Sequence, residues 1–175
     1  MDESVLDAMS NPVAGYRVVR WRDLAPDEYL EDLAYLDSRL HADAPQGELE
    51  WEAPKPDAER IRLGQTISVR RGRKSYHTAA VHEDSGRVVA WTTLTKEDSI
   101  DWNAFQQVTV VDPDHRGHRL GALVKAGNLR FMRTHEPAVT TIDTFNAHSN
   151  THMIAINEQM GFRPLYAWQS WQTEL

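Results

Sequence analysis

The chain contains no cysteine. Disulfides, thiolate metal sites and cysteine nucleophiles are therefore excluded, and any catalysis must use other groups. No apolar run approaches the ~20 residues of a bilayer-crossing helix, so neither a membrane segment nor a membrane partner is expected. Positive charge is in deficit: 19 Lys and Arg face 26 Asp and Glu, a net charge of −7. General nucleic-acid binding normally shows as a broad basic footprint, and this balance argues against it. Behind Met1-Asp-Glu-Ser no basic segment leads into an apolar one, so nothing resembles a secretory signal and a cytoplasmic location is expected. Internal repeats, low-complexity tracts and a convincing interdomain linker are missing too.

What is present is the composition of a soluble globular protein, with 41% hydrophobic and 26% charged residues in 175. One domain is expected over residues 15–175, preceded by a mobile or weakly docked arm at 1–14 that carries Asn11-Pro12 as a turn signal. The local charge distribution is more telling than the total. From His115 to His135 five bases (Arg116, Arg119, Lys125, Arg130, Arg133) occur with no acid. They follow an apolar strand, Phe105 to Val111, and a turn containing Gly117. Such a junction leaves backbone N–H groups free at a helix start, where the helix dipole adds partial positive charge, so it suits a discrete anionic ligand. A solvated helix face is the plainer alternative.

The rest of the chain reads as alternating strands and helices. Tyr16–Trp21 is β-like. Asp23 is placed to cap a helix entered at Pro26, in which Tyr29, Leu33, Leu36 and Leu40 form a core stripe. A long acidic loop, His41 to Pro56, precedes a second helix over 57–74 that ends in Arg70-Arg-Gly-Arg-Lys74; a solvated helix end explains that cluster better than a nucleic-acid patch. Tyr76–His82 and Val88–Leu94 flank Glu83-Asp-Ser-Gly86 as a hairpin. A helix from His118 to about Thr134 puts Leu120, Val124, Gly127 and Phe131 on one face, with Gly127 allowing close packing on the sheet. Val139–Phe145 is a further strand, Ser149 or Asn150 caps a short helix ending at Gly161, and Phe162 to Trp171 supplies a last strand region.

This order, with Val111-Asp-Pro-Asp-His-Arg-Gly-His-Arg-Leu-Gly121 and Asn150-x-x-Met-Ile-x-x-Asn-Glu-x-x-Gly-Phe162, resembles the GNAT acetyltransferase superfamily over nearly the whole chain. Residues 15–172 look most like one domain of the two-domain GNAT proteins that include mycothiol synthase, so the chain would be a single-domain relative or a separated half. The resemblance implies an α/β (α+β) fold: a mixed central sheet, flanked by about four helices and splayed between its fourth and fifth strands. Acetyl-coenzyme A would lie in the opening as acyl donor. Backbone at Val110 and Val111 would meet the pantetheine arm and thioester, and the turn formed by Arg116, Gly117, His118, Arg119, Leu120, Gly121 and Ala122 would hold the pyrophosphate. Asn150 would contact pantetheine or simply cap its helix. Two positions depart from the family pattern. Asp114 and Arg119 stand where Gln or Arg and Gly are usual, and an arginine at 119 strains the turn if that position requires positive φ.

The implied activity is transfer of acetyl from acetyl-coenzyme A to a primary amine, by direct attack in a ternary complex. The Val111 N–H would stabilise the developing oxyanion. The slot that often holds a tyrosine general acid is Asn157, which can donate a hydrogen bond but not an acid proton. A base must deprotonate the amine. Glu97, Asp98, Asp101 and His115 are candidates, Glu97 foremost, while Asp43 could recognise a cationic acceptor. His148 and His152 lack an evident third partner, so no metal is expected. Trp51, Trp91, Trp102, Trp168 and Trp171 are either core residues or the lining of an aromatic acceptor pocket. A monomer or homodimer is expected. A non-catalytic acyl-coenzyme A binding module is the alternative class.

Overall fold

The structure is a computed structural model and describes residues 2–43, 57–169, 171 and 173; the acidic loop expected before residue 57, with Trp51, lies largely outside them. Five strands form one sheet in the order β1 (Tyr16–Arg22), β2 (Arg73–His82), β3 (Val88–Glu97), β4 (Asn103–Val111), β5 (Thr141–Asp143). The first four pair antiparallel, and β5 joins β4 in parallel. This is the mixed sheet that the resemblance implies. Two of the β strands are tied by a turn in which Gly86 adopts φ +70°, as the expected hairpin requires.

Side chains alternate between two faces, and each face has its own cover. Ala79, Val81, Val88, Trp91 and Val110 pack beneath α2 (Leu30–Asp43), whose Leu33 and Leu36 are fully buried; α3 (Ala58–Arg70) lies beside it. On the other face Tyr76, Leu94 and Ala104 meet Ala126, Leu129 and Met132 of α4 (Leu120–His135), together with Ile156 of α5 (Thr151–Gln159). Polar contacts fix α4 in register: Thr78 Oγ1 donates to Asn128 Oδ1 at 3.0 Å, and Asn128 Nδ2 to the Tyr76 carbonyl at 2.9 Å. At Gly127 a Cβ would lie 3.4 Å from Arg20 Nη2, so the expected close packing of this helix on the sheet is present.

Three expectations are corrected. Residues 3–9 are not a loose arm but helix α1 (Glu3–Met9), capped by Asp2. Its Leu6 is fully buried against α4, Glu3 pairs with Arg133 at 2.5 Å, and Asp7 pairs with Arg130, which makes five α-helices among the described residues rather than four. Their signal was hidden because both arginines lie more than a hundred residues downstream. Asp23 does not cap a helix: it sits at φ +60°, and its carboxylate instead accepts from Ser75 N at 2.9 Å. A 3-10 turn at Asp27–Tyr29 leads into α2 without a capping side chain. Among the described residues of 162–171 there is no strand. Pro164 removes a ladder donor there, and the Trp168 ring meets those of Tyr166 and Phe145 edge-on instead of the segment pairing with β5.

Candidate functional site

β4 has two partners at its start and one at its end. Its pairing with β5 covers Asn103, Ala104 and Phe105, and Thr144 Oγ1 donates to the Gln106 carbonyl at 3.4 Å; from Gln107 to Val111 no described strand pairs with that edge. The direction of the free groups follows from the ladder. Asp112 N donates to Val89 O at 2.8 Å, so alternation turns the N–H and C=O of Val110 towards β3 and those of Val111 and Thr109 into the opening. The N–H and C=O of Val110, expected to face the opening, are thus taken up towards β3, where Val110 lies opposite Trp91, and the groups that do face the opening are those of Thr109 and Val111.

Between these residues and Phe105 the register slips, and Gln107 and Val108 together oppose Thr93 as a β-bulge. The buried Gln106 amide holds the bulge, donating to Thr93 O at 2.9 Å and to Val108 O at 3.0 Å. No motif in the sequence flagged Gln106. Its importance comes from the bulge, which is a property of pairing.

Beyond Val111 a 3-10 turn, Pro113–His115, carries the chain to Arg116. Gly117 follows at φ +85°, and Arg119 stands at φ +60° as the N-cap of α4. Position 119 does require the left-handed conformation, so the arginine is a strained occupant of a glycine slot. It offers no side-chain cap. The first N–H groups of α4, from Leu120, Gly121 and Ala122, thus receive no capping acceptor, and no acid lies in the first turn. At Gly121 a Cβ would meet Val111 Cγ2 at 3.6 Å and Ile156 Cδ1 at 3.8 Å, so glycine brings the helix start against both β4 and α5. Arg119 Nη2 reaches the Ala8 carbonyl at 3.4 Å, which ties the turn to α1. His115 Nδ1 lies 2.9 Å from Tyr16 Oη, and the rings of His82 and His118 stand 5.4 and 5.6 Å from the Tyr16 ring. His115 is thereby engaged at the turn and not at the bulge.

Asn150 is a helix cap: its Oδ1 accepts from Met153 N at 3.2 Å. Asn157 is buried on α5, and its Oδ1 has no hydrogen-bond partner among the described residues. Close by on α4, Lys125 is only 1% exposed and enters no hydrogen bond or ion pair among the described residues; its Nζ lies 5.6 Å from the Phe162 ring centroid. Burial pushes its ammonium down to about 8. The sequence carries one sign of this residue, a lone cation at i+4 from Gly121 on a helix whose neighbouring positions are apolar.

The candidate bases separate. Glu97 lines a cavity of about 250 Å³ shared with Thr95, Phe105 and Gln107, and its Oε1 accepts from Arg73 Nε at 2.7 Å. Asp98 pairs with Lys74 at 3.2 Å and Asp101 with Lys96 at 3.5 Å, and neither lines that cavity. Arg73 and Lys74 of the basic cluster do not end a helix as expected: α3 stops at Arg70, and both residues open β2, where Glu97 and Asp98 pair with them. Asp43 ends α2. His148 and His152 join no metal-binding group among the described residues. Trp91 is core, whereas Trp102, Trp168 and Trp171 are exposed, and none of the three lines the cavity.

No protein-family model and no curated protein matches the chain. Solved structures do. The chain is 35% identical to a tandem GNAT protein from the clavulanic acid biosynthesis pathway, with a TM-score of 0.74 over 88% of this chain and 44% of that one. It therefore spans less than half the length of that protein. An acetyltransferase from Trypanosoma brucei shares its fold at 16% identity and a TM-score of 0.61, over 89% of this chain and 100% of that one. An aminoglycoside N-acetyltransferase, AAC(6')-Iy in complex with CoA, does so at 12% identity and 0.59, over 92% and 97%.

Proposed function

The chain belongs to the GNAT acetyltransferase superfamily, and from that premise we propose that it binds acetyl-coenzyme A and transfers the acetyl group to a primary amine. The observation that carries this reading is the parted edge of β4 running directly into an uncapped, acid-free helix start. The pyrophosphate takes the N–H groups from Gly117 to Ala122, with Arg116, His118 and Arg119 at the rim. The two pantetheine amides pair with Thr109 and Val111 as an added strand would. From Val111 to Gln107 the free edge is ~14 Å long at strand rise, enough for an extended arm to bring its thioester down towards the bulge.

The acceptor approaches from the opposite face, through the cavity lined by Glu97, Phe105 and Gln107. A neutral amine attacks the thioester carbonyl, the C–N bond forms, and an outward N–H of β4 receives the oxyanion. Glu97 takes the amine proton, either directly or through water. Holding the two reactants together supplies much of the acceleration, and no covalent enzyme intermediate is needed. A small molecule suits the modest cavity. The alternative of a binding module without turnover draws on one observation, the amide at Asn157 in the slot for a general acid.

Calorimetry with acetyl-coenzyme A, followed by thiol-release assays over a panel of small primary amines, tests both. Binding with amine-dependent thiol release is the expected result. Binding without release would establish the module, and no binding would overturn the site.

A further inference from the structure

Lys125 is a buried cation that, among the described residues, meets the Phe162 ring but no hydrogen-bond or ion-pair partner. Such a group destabilises the fold, and an apolar side chain of similar length would fill the space without that cost. Its position gives the burial a purpose. Gly121 approaches Val111 and Ile156 at the start of α4, and Leu129 shares a core cluster with Ala104 further along, so the helix runs antiparallel to β4 while lying over the face of the sheet, with its start against the end of β4. Lys125 lies one turn from Gly121 on the same side. A turn of helix covers ~5.4 Å, or about two strand residues, which brings Lys125 level with Thr109 and Val108. Across from it is the end of α5, where Phe162 N donates to the carbonyl of Asn157 at 3.0 Å.

We propose that Lys125 is the proton donor to the departing coenzyme A sulfur, the task that the amide of Asn157 cannot perform. The assignment rests on the acyl-donor site described above. When the tetrahedral intermediate collapses, the C–S bond breaks and its electron pair stays on sulfur. The ammonium N–H of Lys125 passes its proton to that sulfur, which leaves as the thiol. Lys125 is then neutral and regains a proton from solvent, balancing the one lost from the acceptor nitrogen. Burial makes the ammonium, at about 8, a stronger acid than an ordinary lysine, so that it can pass a proton to a thiolate at least as basic as that of cysteine.

The test compares the full-length protein with Lys125→Met, which keeps length and removes the charge, and with Lys125→Gln as a second neutral variant in case the first does not fold. The first readout needs no acceptor: the thiolate absorbance of bound coenzyme A is followed against pH. With Lys125 in place the bound thiol should ionise at lower pH than free coenzyme A, and this shift should vanish in the variant. In amine acetylation the variant should lose ~100-fold in kcat with the acetyl-coenzyme A KM within about twofold, and the alkaline limb of its kcat profile should disappear. Unchanged thiol ionisation in a variant that binds coenzyme A normally would overturn the role of Lys125 alone. Failure of the unmodified protein to bind coenzyme A would overturn the donor site, and this inference with it.

Discussion

The imidazole of His77 lies parallel to the indole of Trp21, with ring centroids 5.2 Å apart and planes 9° apart, and Trp91 flanks it from β3. Its Nδ1 accepts from Trp91 Nε1 at 3.3 Å and lies 2.9 Å from Thr93 Oγ1. Burial holds this histidine neutral, pushing it from 6.5 down to about 3. Between these two values the unfolded chain binds a proton that the folded one refuses, so stability falls as pH drops through that window and is complete above it. Urea midpoints at pH 7 and pH 5 should therefore diverge, and His77→Gln, which keeps an acceptor but does not titrate, should narrow the gap. An equal gap in both proteins would assign the acid sensitivity elsewhere.

Glu136 caps the same conclusion from the other face. Burial alone would raise its carboxyl, but hydrogen bonds from Tyr76 Oη at 2.6 Å and Lys74 Nζ at 3.2 Å hold it below its ordinary range. The stability this contributes is present above about 4.5 and lost as pH falls. Glu136→Gln should cost about 1–3 kcal/mol at pH 7 by chemical denaturation, and the cost should shrink in acid.

Arg119→Gly should stabilise the protein by about 1 kcal/mol, since it removes a side chain from a left-handed position. Arg119→Val should destabilise it by a similar amount or more. A loss of stability in the glycine variant would mean that the contact with Ala8 outweighs the strain.

Gly117→Asp adds a negative charge at φ +85°, in space where a Cβ meets nothing within 4 Å. The fold should survive with a loss of about 1 kcal/mol, while acetyl-coenzyme A affinity drops at least tenfold through repulsion of its phosphates. Unchanged affinity in calorimetry would place the phosphates away from this turn.

Leu6→Ala should cost about 2–4 kcal/mol, whereas Glu3→Gln should cost less than about 1 kcal/mol. Equal effects in a melting experiment would show that α1 is held by charge and not by burial.

Periodicity made α4 legible, because its apolar stripe, the glycines of its approach and the bases behind them lie within thirty residues of one another. The stripe of Tyr29, Leu33 and Leu36 was legible for the same reason. What escaped depends on partners far apart in sequence. Asp23 looks like a cap until Ser75 arrives beside it, and Gln106 is an ordinary strand glutamine until the bulge forms around it. Lys125 reads as one more base in a basic segment, set apart only by its place one turn after Gly121 among apolar neighbours, since burial of a single side chain leaves no period. Residues 162–169 failed in the opposite sense, for a strand-like composition does not make a strand without an edge that takes its hydrogen bonds.

The docking of α1 has a consequence for the order of assembly. Asp7 meets Arg130 across 123 positions and Glu3 meets Arg133 across 130. During synthesis the first helix leaves the ribosome well before its binding surface exists, and at ordinary elongation rates it waits roughly 6 to 25 seconds. Seven residues are too few to stay helical alone in water, so Leu6 and Met9 are exposed through that interval. Closure of α1 onto α4 is therefore a late step, and it also anchors the turn through Arg119: the bend at Gly117 to Arg119 gains that support only once α4 itself has been made.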